Sequence, residues 1–268
     1  MIKLKKIATF DPNSNRMKVI ADVEKAIKEF KNKKNKNLDY LLKNRFSWMK
    51  KFINTEDKGL EVGAGAGFSK NYIKNKNFKI SDFAMHDHLD LKNLDAQNTK
   101  FDANSYDFVI AVNMLHHVPY PMKFLNEMFK ILKPGGKLII QEAHCSVVFQ
   151  IITIIMRHEG FDFTKNVWDE SSPATDEKDL WSGNSAIPYL LFDNNERFNS
   201  ILGNKFEIKY KKLCECLLFL NSGGVTSKTF YIPFNFFILK IISYLDNFLS
   251  FLLPGIFALG YKIVLIKK

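Results

Sequence analysis

The residues best placed to do chemistry sit in one short run, Glu61-Val62-Gly63-Ala64-Gly65-Ala66-Gly67, with Asp82 and the pair Asp95-Ala96 downstream. Glycines on alternate positions let the backbone turn sharply and approach a ligand closely, and a helix beginning near Phe68 would favour anionic groups at its N-terminus. Two ligand classes compete for such a loop. A dinucleotide fingerprint wants a small residue three positions after Gly65, where this chain has Phe68, whose ring would crowd a pyrophosphate. The observed spacing carries Glu61 two residues before Gly63. A carboxylate there repels phosphate and suits a cationic ligand or an amino group. Asp82 ends the next predicted strand, where a carboxylate accepts hydrogen bonds from ribose hydroxyls. Asp95-Ala96 offers an acceptor for an adenine amino group and a backbone donor to its ring.

The surrounding pattern must hold these groups in place. Gly59–Val62 reads as a strand running into the glycine loop, with a helix from Phe68 to about Lys74. Phe78–Asp82 and Leu91–Leu94 read as further strands. Tyr106–Val112 and Lys137–Gln141 read as fully buried strands, with a helix over Pro121–Leu132 between them, stopped by Lys133-Pro134-Gly135-Gly136. Strands alternating with helical segments predict βαβ units, hence an α/β parallel sheet with helices on both faces. Upstream, apolar residues recur at helical spacing over Val19–Phe30 and Leu38–Ile53. Downstream come an apolar helix-like run over Ser146–Met156, a polar stretch 157–188 suited to a lid, strand-like segments Phe206–Leu218 and Tyr261–Ile266, and an apolar helix over Phe234–Leu253.

The formal charge of the 268-residue chain is +11, but it is unevenly placed: residues 1–58 carry +9, 59–204 carry −4 and 205–268 carry +6. A mildly acidic centre is not built around a polyphosphate, which argues against a nucleic-acid partner, while the basic flanks suit an anionic surface. Three cysteines make no disulfide framework and no structural zinc site, pointing to a reducing, cytoplasmic setting. The longest stretches without Asp, Glu, Lys or Arg are Phe108–Met122 and Asn247–Tyr261, too short for the ~20 apolar residues of a spanning helix. No apolar run follows the basic first ten residues, so no signal peptide is expected.

Over roughly residues 38–145 the chain resembles the class I S-adenosylmethionine-dependent methyltransferases, specifically the small-molecule group with a Leu-His-His segment after the fourth strand. The resemblance rests on Glu61–Gly67, Ser81-Asp82, Asp95-Ala96, Ser105-Tyr106-Asp107-Phe108-Val109, Met114-Leu115-His116-His117 and Leu132–Gly136, in the family order and spacing. It implies a doubly wound, seven-stranded, mostly parallel Rossmann-like sheet, with Phe206–Leu218 as sixth strand and Tyr261–Ile266 as the antiparallel last one. Helical additions would lie at both ends. Residues 1–268 are then one methyltransferase domain: N-terminal helices over 1–58, a cofactor-binding half over 59–145 and a substrate side over 146–268. The cofactor implied is S-adenosyl-L-methionine. Glu61 with Gly63, Ala64, Gly65 and Gly67 would hold its methionine end, Asp82 its ribose, and Asp95 with Ala96 its adenine. Asn113 would lie beside the sulfonium.

Methyl transfer asks the protein to align the acceptor, exclude water and take a proton from a neutral acceptor. The candidate bases are His117, on the rim after the fourth strand, and His158-Glu159, at the end of the apolar run; His144 is a third. His86-Asp87-His88 has metal-ligand spacing but no evident third ligand, so no metal site is expected. Residues 146–260 should select the substrate, with Trp168, Trp181, Tyr189 and Phe192 among them. In the last apolar helix, Asn235, Lys240, Ser243, Asp246, Asn247 and Ser250 form one narrow polar stripe. That helix either packs on the sheet or a partner, or docks on a membrane or a lipid-linked acceptor. The expected acceptor is a small molecule, a hydroxyl on a saccharide, quinone or lipid-linked compound. An RNA or protein methyltransferase and a non-catalytic cofactor-binding module remain as alternatives, and oligomeric state is open.

Overall fold

Alternation along the central strands decides the architecture, because both faces of each strand are apolar. In the computed structural model, which describes residues 9–11, 22–32, 35–157, 159–225 and 229–268, successive side chains of these strands feed two different cores. Val109, Ala111, Leu138, Ile140, Ile263 and Leu265 point to one, and Phe108, Ile110, Ile139 and Val264 to the other. A sheet buried on both sides needs helices on both sides.

The elements in order are β1 (Thr9–Phe10), α1 (Asp22–Lys31), α2 (Lys36–Ser47), β2 (Gly59–Val62), α3 (Ser69–Tyr72), β3 (Phe78–Ile80), β4 (Tyr106–Val112), α4 (Pro121–Ile131), β5 (Leu132–Ala143), α5 (Val147–Met156), β6 (Phe161–Asp162), α6 (Ile187–Phe192), α7 (Asn195–Leu202), β7 (Phe206–Cys214), α8 (Leu217–Leu220), α9 (Phe236–Leu252), α10 (Pro254–Phe257) and β8 (Gly260–Lys267). The main sheet has six strands in the order β3-β2-β4-β5-β8-β7, and β1 pairs with β6 apart from it. β2, β3, β4 and β5 are mutually parallel; β8 runs antiparallel to both β5 and β7. From β2 the chain steps outward to β3 and returns to β4 on the other side, so the order reverses between β2 and β4. Open α/β sheets bind ligands at the carboxyl ends of strands at such a reversal.

Two expectations meet a local difference. Where a strand was expected at Leu91–Leu94 there is one parallel bridge, Ser81 to Leu91, because Asn93 takes a left-handed φ of 53° and ends the extended run. The segment Phe206–Leu218 stays extended only to Cys214. Glu215 then turns through φ 62°, and Leu217–Leu220 coils into α8 with the Asp246 carboxylate accepting from the backbone N–H groups of Cys216, Leu217 and Leu218.

The flanking segments lie against the sheet. α2, started by the Asn35 side chain accepting from Leu38 N–H, buries Leu38, Leu42 and Phe46 in the same core as Phe108 and Ile110. Arg45 of α2 makes a buried ion pair with Glu215 at 2.7 Å. α4, opened by Pro121, packs with α6 and α7 on the other face. α9 is inverted relative to an ordinary surface helix. Its buried side chains are Leu239, Asp246 and Ser250, while Phe236, Phe237, Ile241, Tyr244, Leu245, Phe248 and Phe251 face outward, Phe251 at 85% exposure. Of the expected polar stripe only Asp246 and Ser250 point inward, Asp246 as the cap of α8; Ser243 is half-buried, and Asn235, Lys240 and Asn247 stay exposed. No described helix is long and apolar enough to cross a membrane.

Candidate functional site

The loop leaving β2 at the order reversal is built on positive φ. Gly63 sits at φ 65°, and a Cβ there would meet the Cβ of Met114 at 2.6 Å. Gly65 sits at φ 50°, and an added Cβ would have no protein atom within 4 Å. The first glycine is required by packing; the second leaves its backbone open to a ligand. Gly65 is held from two directions: its N–H donates to Asp82 Oδ2 at 2.8 Å, and its carbonyl lies 2.8 Å from His88 Nε2. That contact gives His88 a structural role, while Asp87 pairs with Lys92 at 2.6 Å, so the His86-Asp87-His88 spacing serves the loop.

A cavity of about 610 Å³ opens over this loop, within the range of small-molecule sites. Glu61, Gly63, Ala64, Gly65, Asp82, Asp95, Ala96 and Asn113 all line it. Gly67 lies behind it, where a Cβ would strike Ile80 at 2.7 Å. Glu61 is buried and accepts from the Ser69 hydroxyl. Burial pushes its carboxyl up to about 8; the Ser69 bond pulls the other way and the Asp82 charge adds to the rise. A buried acid with one hydroxyl partner is poised to ionise against a cationic group. Asp82 Oδ1 also accepts from Ala84 N–H at 2.9 Å, and Asp95 Oδ1 from Gln97 N–H at 2.8 Å, fixing both carboxylates at the rim. Asn113 directly follows β4 in a left-handed conformation, φ 49°, with its N–H donating to Gln141 O at 2.8 Å.

The opposite end of the cavity gathers ionisable groups. His117 Nδ1 donates to the Ser182 carbonyl at 3.0 Å, and its Nε2 lies 3.8 Å from Glu159 Oε1. Glu159 and His117 therefore meet, as their candidacy required. His158 lies outside the described residues. His144 does not line the cavity; its ring stands edge-on to Tyr261 at 4.7 Å and faces Tyr189 at 6.0 Å. Two residues beyond the candidate bases complete the cluster. His116 Nδ1 donates to Glu142 Oε2 at 2.6 Å, and its Nε2 lies 3.4 Å from Glu159 Oε2. Glu142, fully buried, also accepts from the backbone N–H of Leu115 and Ala143. Burial opposes the His116 imidazolium, yet the two carboxylates hold its pKa well above the usual histidine value. Burial and the neighbouring His116 charge hold His117 below it. The sequence signal for this pair was two polar residues, Gln141-Glu142, closing an otherwise apolar buried strand.

Segment 174–184 covers this end. Ala174 N–H donates to Pro119 O, Asn184 N–H to His116 O, and the Thr175 hydroxyl to His117 O. Asp176, Glu177, Asp179, Leu180 and Trp181 line the cavity from that side. Of the other aromatics expected to meet substrate, Trp168 and Phe192 pack in the core with α4 and α7, and Tyr189 stacks on His144 and meets Phe163 edge-to-face.

A doubly wound sheet with one antiparallel strand, a glycine loop leaving β2, an acid beyond β3 and a second acid in the following loop is the arrangement of class I S-adenosylmethionine-dependent methyltransferases. Residues 60–140 match the sequence family described as a methyltransferase domain. Among curated proteins, it is similar to a demethylmenaquinone methyltransferase of Listeria monocytogenes serotype 4a, 36% identical over 74 residues, covering 28% of this chain and 31% of that protein. It is also similar to the highly reducing polyketide synthase aurA of Calcarisporium arbuscula, 43% identical over 61 residues, covering 23% of this chain and 2% of the synthase. The match thus spans less than a third of the length of these relatives. Among solved structures, an S-adenosylmethionine-dependent methyltransferase from Archaeoglobus fulgidus is 14% identical, with 85% of this chain and 93% of that chain covered and a TM-score of 0.46. The donor set fits S-adenosylmethionine in kind: open backbone at Gly65, a buried acid at Glu61, and rim carboxylates at Asp82 and Asp95.

Proposed function

We propose that this protein transfers a methyl group from S-adenosylmethionine to a hydroxyl of a small, lipid-like acceptor. The observation that carries this reading is the single cavity wall that joins Glu61, Asp82 and Asp95 at one end to His117 and Glu159 at the other. The bound cofactor supplies an activated methyl group. The chain's own residues bind its charged and polar ends, exclude water with segment 174–184, and handle the acceptor's proton. The lone pair of His117 Nε2 faces the cavity because Nδ1 is committed to Ser182 O. His117 stays neutral through burial, as a base must be before it accepts a proton. Glu159 Oε1, 3.8 Å from the same nitrogen, would stabilise the imidazolium that results. Asn113, at the end of β4, is assigned to the sulfonium side of the cavity. The whole chain acts as one unit, with α2 and the 205–268 segment closing the cavity through Arg45, Glu215 and Phe219.

A lipid-like acceptor is supported by the outward apolar face of α9 and by α5, which packs beside α10 and lends Ile152 and Met156 to the cavity and Ile151 and Ile155 to the surface. The basic flanks suit an anionic lipid surface, and we assign the protein a peripheral position there, on the cytoplasmic side. The name of the demethylmenaquinone methyltransferases supports a quinone-type ring as acceptor.

The test is transfer of labelled methyl from S-adenosylmethionine to hydroxylated quinol and lipid acceptors presented in vesicles. With an acceptor in hand, His117→Ala should keep cofactor affinity and lower turnover by about 10²-fold or more, the loss expected for a general base. Absence of S-adenosylhomocysteine binding would overturn the reading at its root. Unchanged turnover in His117→Ala would remove the base.

A further inference from the structure

We propose that His116, His117 and Glu159 form a binding site for a divalent first-row transition metal, with zinc the best match, at the acceptor end of the cavity. The inference rests on the reading above for where the acceptor lies, and it gives the two histidines a cation to hold in place of a proton to take.

The geometry is that of two imidazoles and one carboxylate converging on a point. One donor atom from each lies within 4.8 Å of the other two. His116 Nε2 and Glu159 Oε2 are 3.4 Å apart, and His117 Nε2 and Glu159 Oε1 are 3.8 Å apart. Ligands bound to zinc at about 2.0–2.1 Å in tetrahedral array stand roughly 3.3 Å from one another. The His116–Glu159 separation already has that value, and small side-chain rotations bring in the third ligand.

What separates this cluster from a chance meeting of polar groups is the commitment of each ring's other nitrogen. A carbonyl can only accept, so His117 Nδ1 carries the proton given to Ser182 O. A carboxylate accepts likewise, so His116 Nδ1 carries the proton given to Glu142 Oε2. Both rings therefore present Nε2 to the same spot, in the tautomer a metal takes, each oriented by an outer hydrogen bond. Glu142 is itself pinned by the N–H groups of Leu115 and Ala143. Gly183 closes the arrangement: a Cβ there would come within 3.1 Å of Glu159 Cγ and 3.2 Å of His117 Cε1, forcing two of the three ligands apart. A dication here would take the place of the proton that Glu142 and Glu159 hold on His116, with the same two carboxylates as its counter-charges.

Three protein ligands leave at least one position on the cavity side, the arrangement of catalytic and not structural zinc sites. An acceptor hydroxyl bound there would lose its proton to water near neutral pH, with no oxidant, reductant or other reactant required.

The experiment uses the full chain, stripped by a chelator and then titrated with zinc alone by calorimetry and with cobalt(II) alone by visible absorption. The expected result is one equivalent of metal, with cobalt bands of a nitrogen and oxygen site and no intense sulfur-to-cobalt band from Cys214 or Cys216. His117→Gln and Glu159→Gln, at side chains 23% and 18% exposed, should each retain the fold. Each should lower metal affinity by ~100-fold or more, beyond the 10–100-fold typical of losing an outer partner. His86→Ala should bind metal as the parent does. Absence of metal binding, or binding that His117→Gln and Glu159→Gln leave intact, overturns the inference. If S-adenosylhomocysteine still binds in that case, the methyltransferase reading stands without the metal. Metal binding in a chain that takes no S-adenosylhomocysteine would uphold the site and overturn the reading.

Discussion

Cofactor affinity should depend on pH through Glu61. Its carboxyl, pushed up to about 8 by burial, carries a proton in the ligand-free protein at neutral pH. An ammonium group set against it needs the carboxylate, so binding must expel that proton. At pH 7 the proton is present in roughly nine of ten molecules, and removing it costs about 1.4 kcal/mol; at pH 6 the cost is about 2.7 kcal/mol. Affinity for S-adenosylhomocysteine should therefore rise about tenfold per pH unit from 6 to 8 and level off above. Calorimetry at pH 7 in buffers of different ionisation enthalpy should register release of about 0.9 proton per ligand. Glu61→Gln should abolish both the slope and the proton release, and bind more weakly than the parent at pH 8. The stability of the ligand-free protein follows the same group with a definite sign. Its folded pKa lies above the ordinary 4.5, so its stabilising contribution is full below pH 4.5 and is lost as pH rises toward 8. The loss approaches about 1.4 kcal/mol per pH unit within that window. Ligand-induced thermal stabilisation should accordingly grow with pH. An affinity flat from pH 6 to 8, with no buffer dependence, would refute the protonated Glu61 and its pairing with an amine.

Three further outcomes can be measured directly. Asp82→Ala removes the acceptor of Gly65 N–H as well as a rim carboxylate, and should weaken S-adenosylhomocysteine binding by about 1.5–3 kcal/mol while circular dichroism stays unchanged; normal binding would take Asp82 out of the site. Arg45→Met leaves Glu215 buried without its 2.7 Å partner and should cost about 3–5 kcal/mol in denaturant unfolding, far more than a surface pair would. Phe237→Asp with Phe251→Asp should leave the thermal midpoint nearly unchanged, since both side chains are exposed, yet sharply reduce co-sedimentation with anionic vesicles; undiminished sedimentation would take α9 out of any lipid contact.

The sheet was legible wherever a strand is apolar on both faces. Tyr106–Val112 was read with the observed bounds, because nothing but a doubly covered strand buries Phe108, Val109, Ile110 and Ala111 together. The loop and its acids were legible because their spacing is local, set by one strand, one turn and the next strand end. Leu91–Leu94 was not, since a short apolar run says nothing of the left-handed turn at Asn93. The pairing of His116 with Glu142 was missed for a different reason. The two groups come from adjacent strand ends and meet only once β4 and β5 are in register. α9 shows the limit of periodicity most plainly. Helical spacing picked out polar positions but not which of them turn inward: Asp246 is buried by the three backbone N–H groups at the start of α8 that it satisfies, while Asn235, Lys240 and Asn247 stay exposed.

The double fastening of Gly65 has a thermodynamic consequence. One residue's N–H and carbonyl are tied to Asp82 and His88, so the glycine loop and the segment leaving β3 behave as one stiff body. Stiffness converts separate contacts into a shared one. Loosening either fastening releases the other, and the energetic effects of altering both cannot add. A double-mutant cycle between Asp82 and His88 should then show a coupling energy on the order of 0.5–3 kcal/mol, although neither side chain bonds to the other. In the proposed function this stiff body meets both ends of the cofactor. Analogues trimmed at the ribose and analogues trimmed at the amino acid should each lose affinity for both halves, making the nucleoside alone a far weaker ligand than its share of contacts suggests.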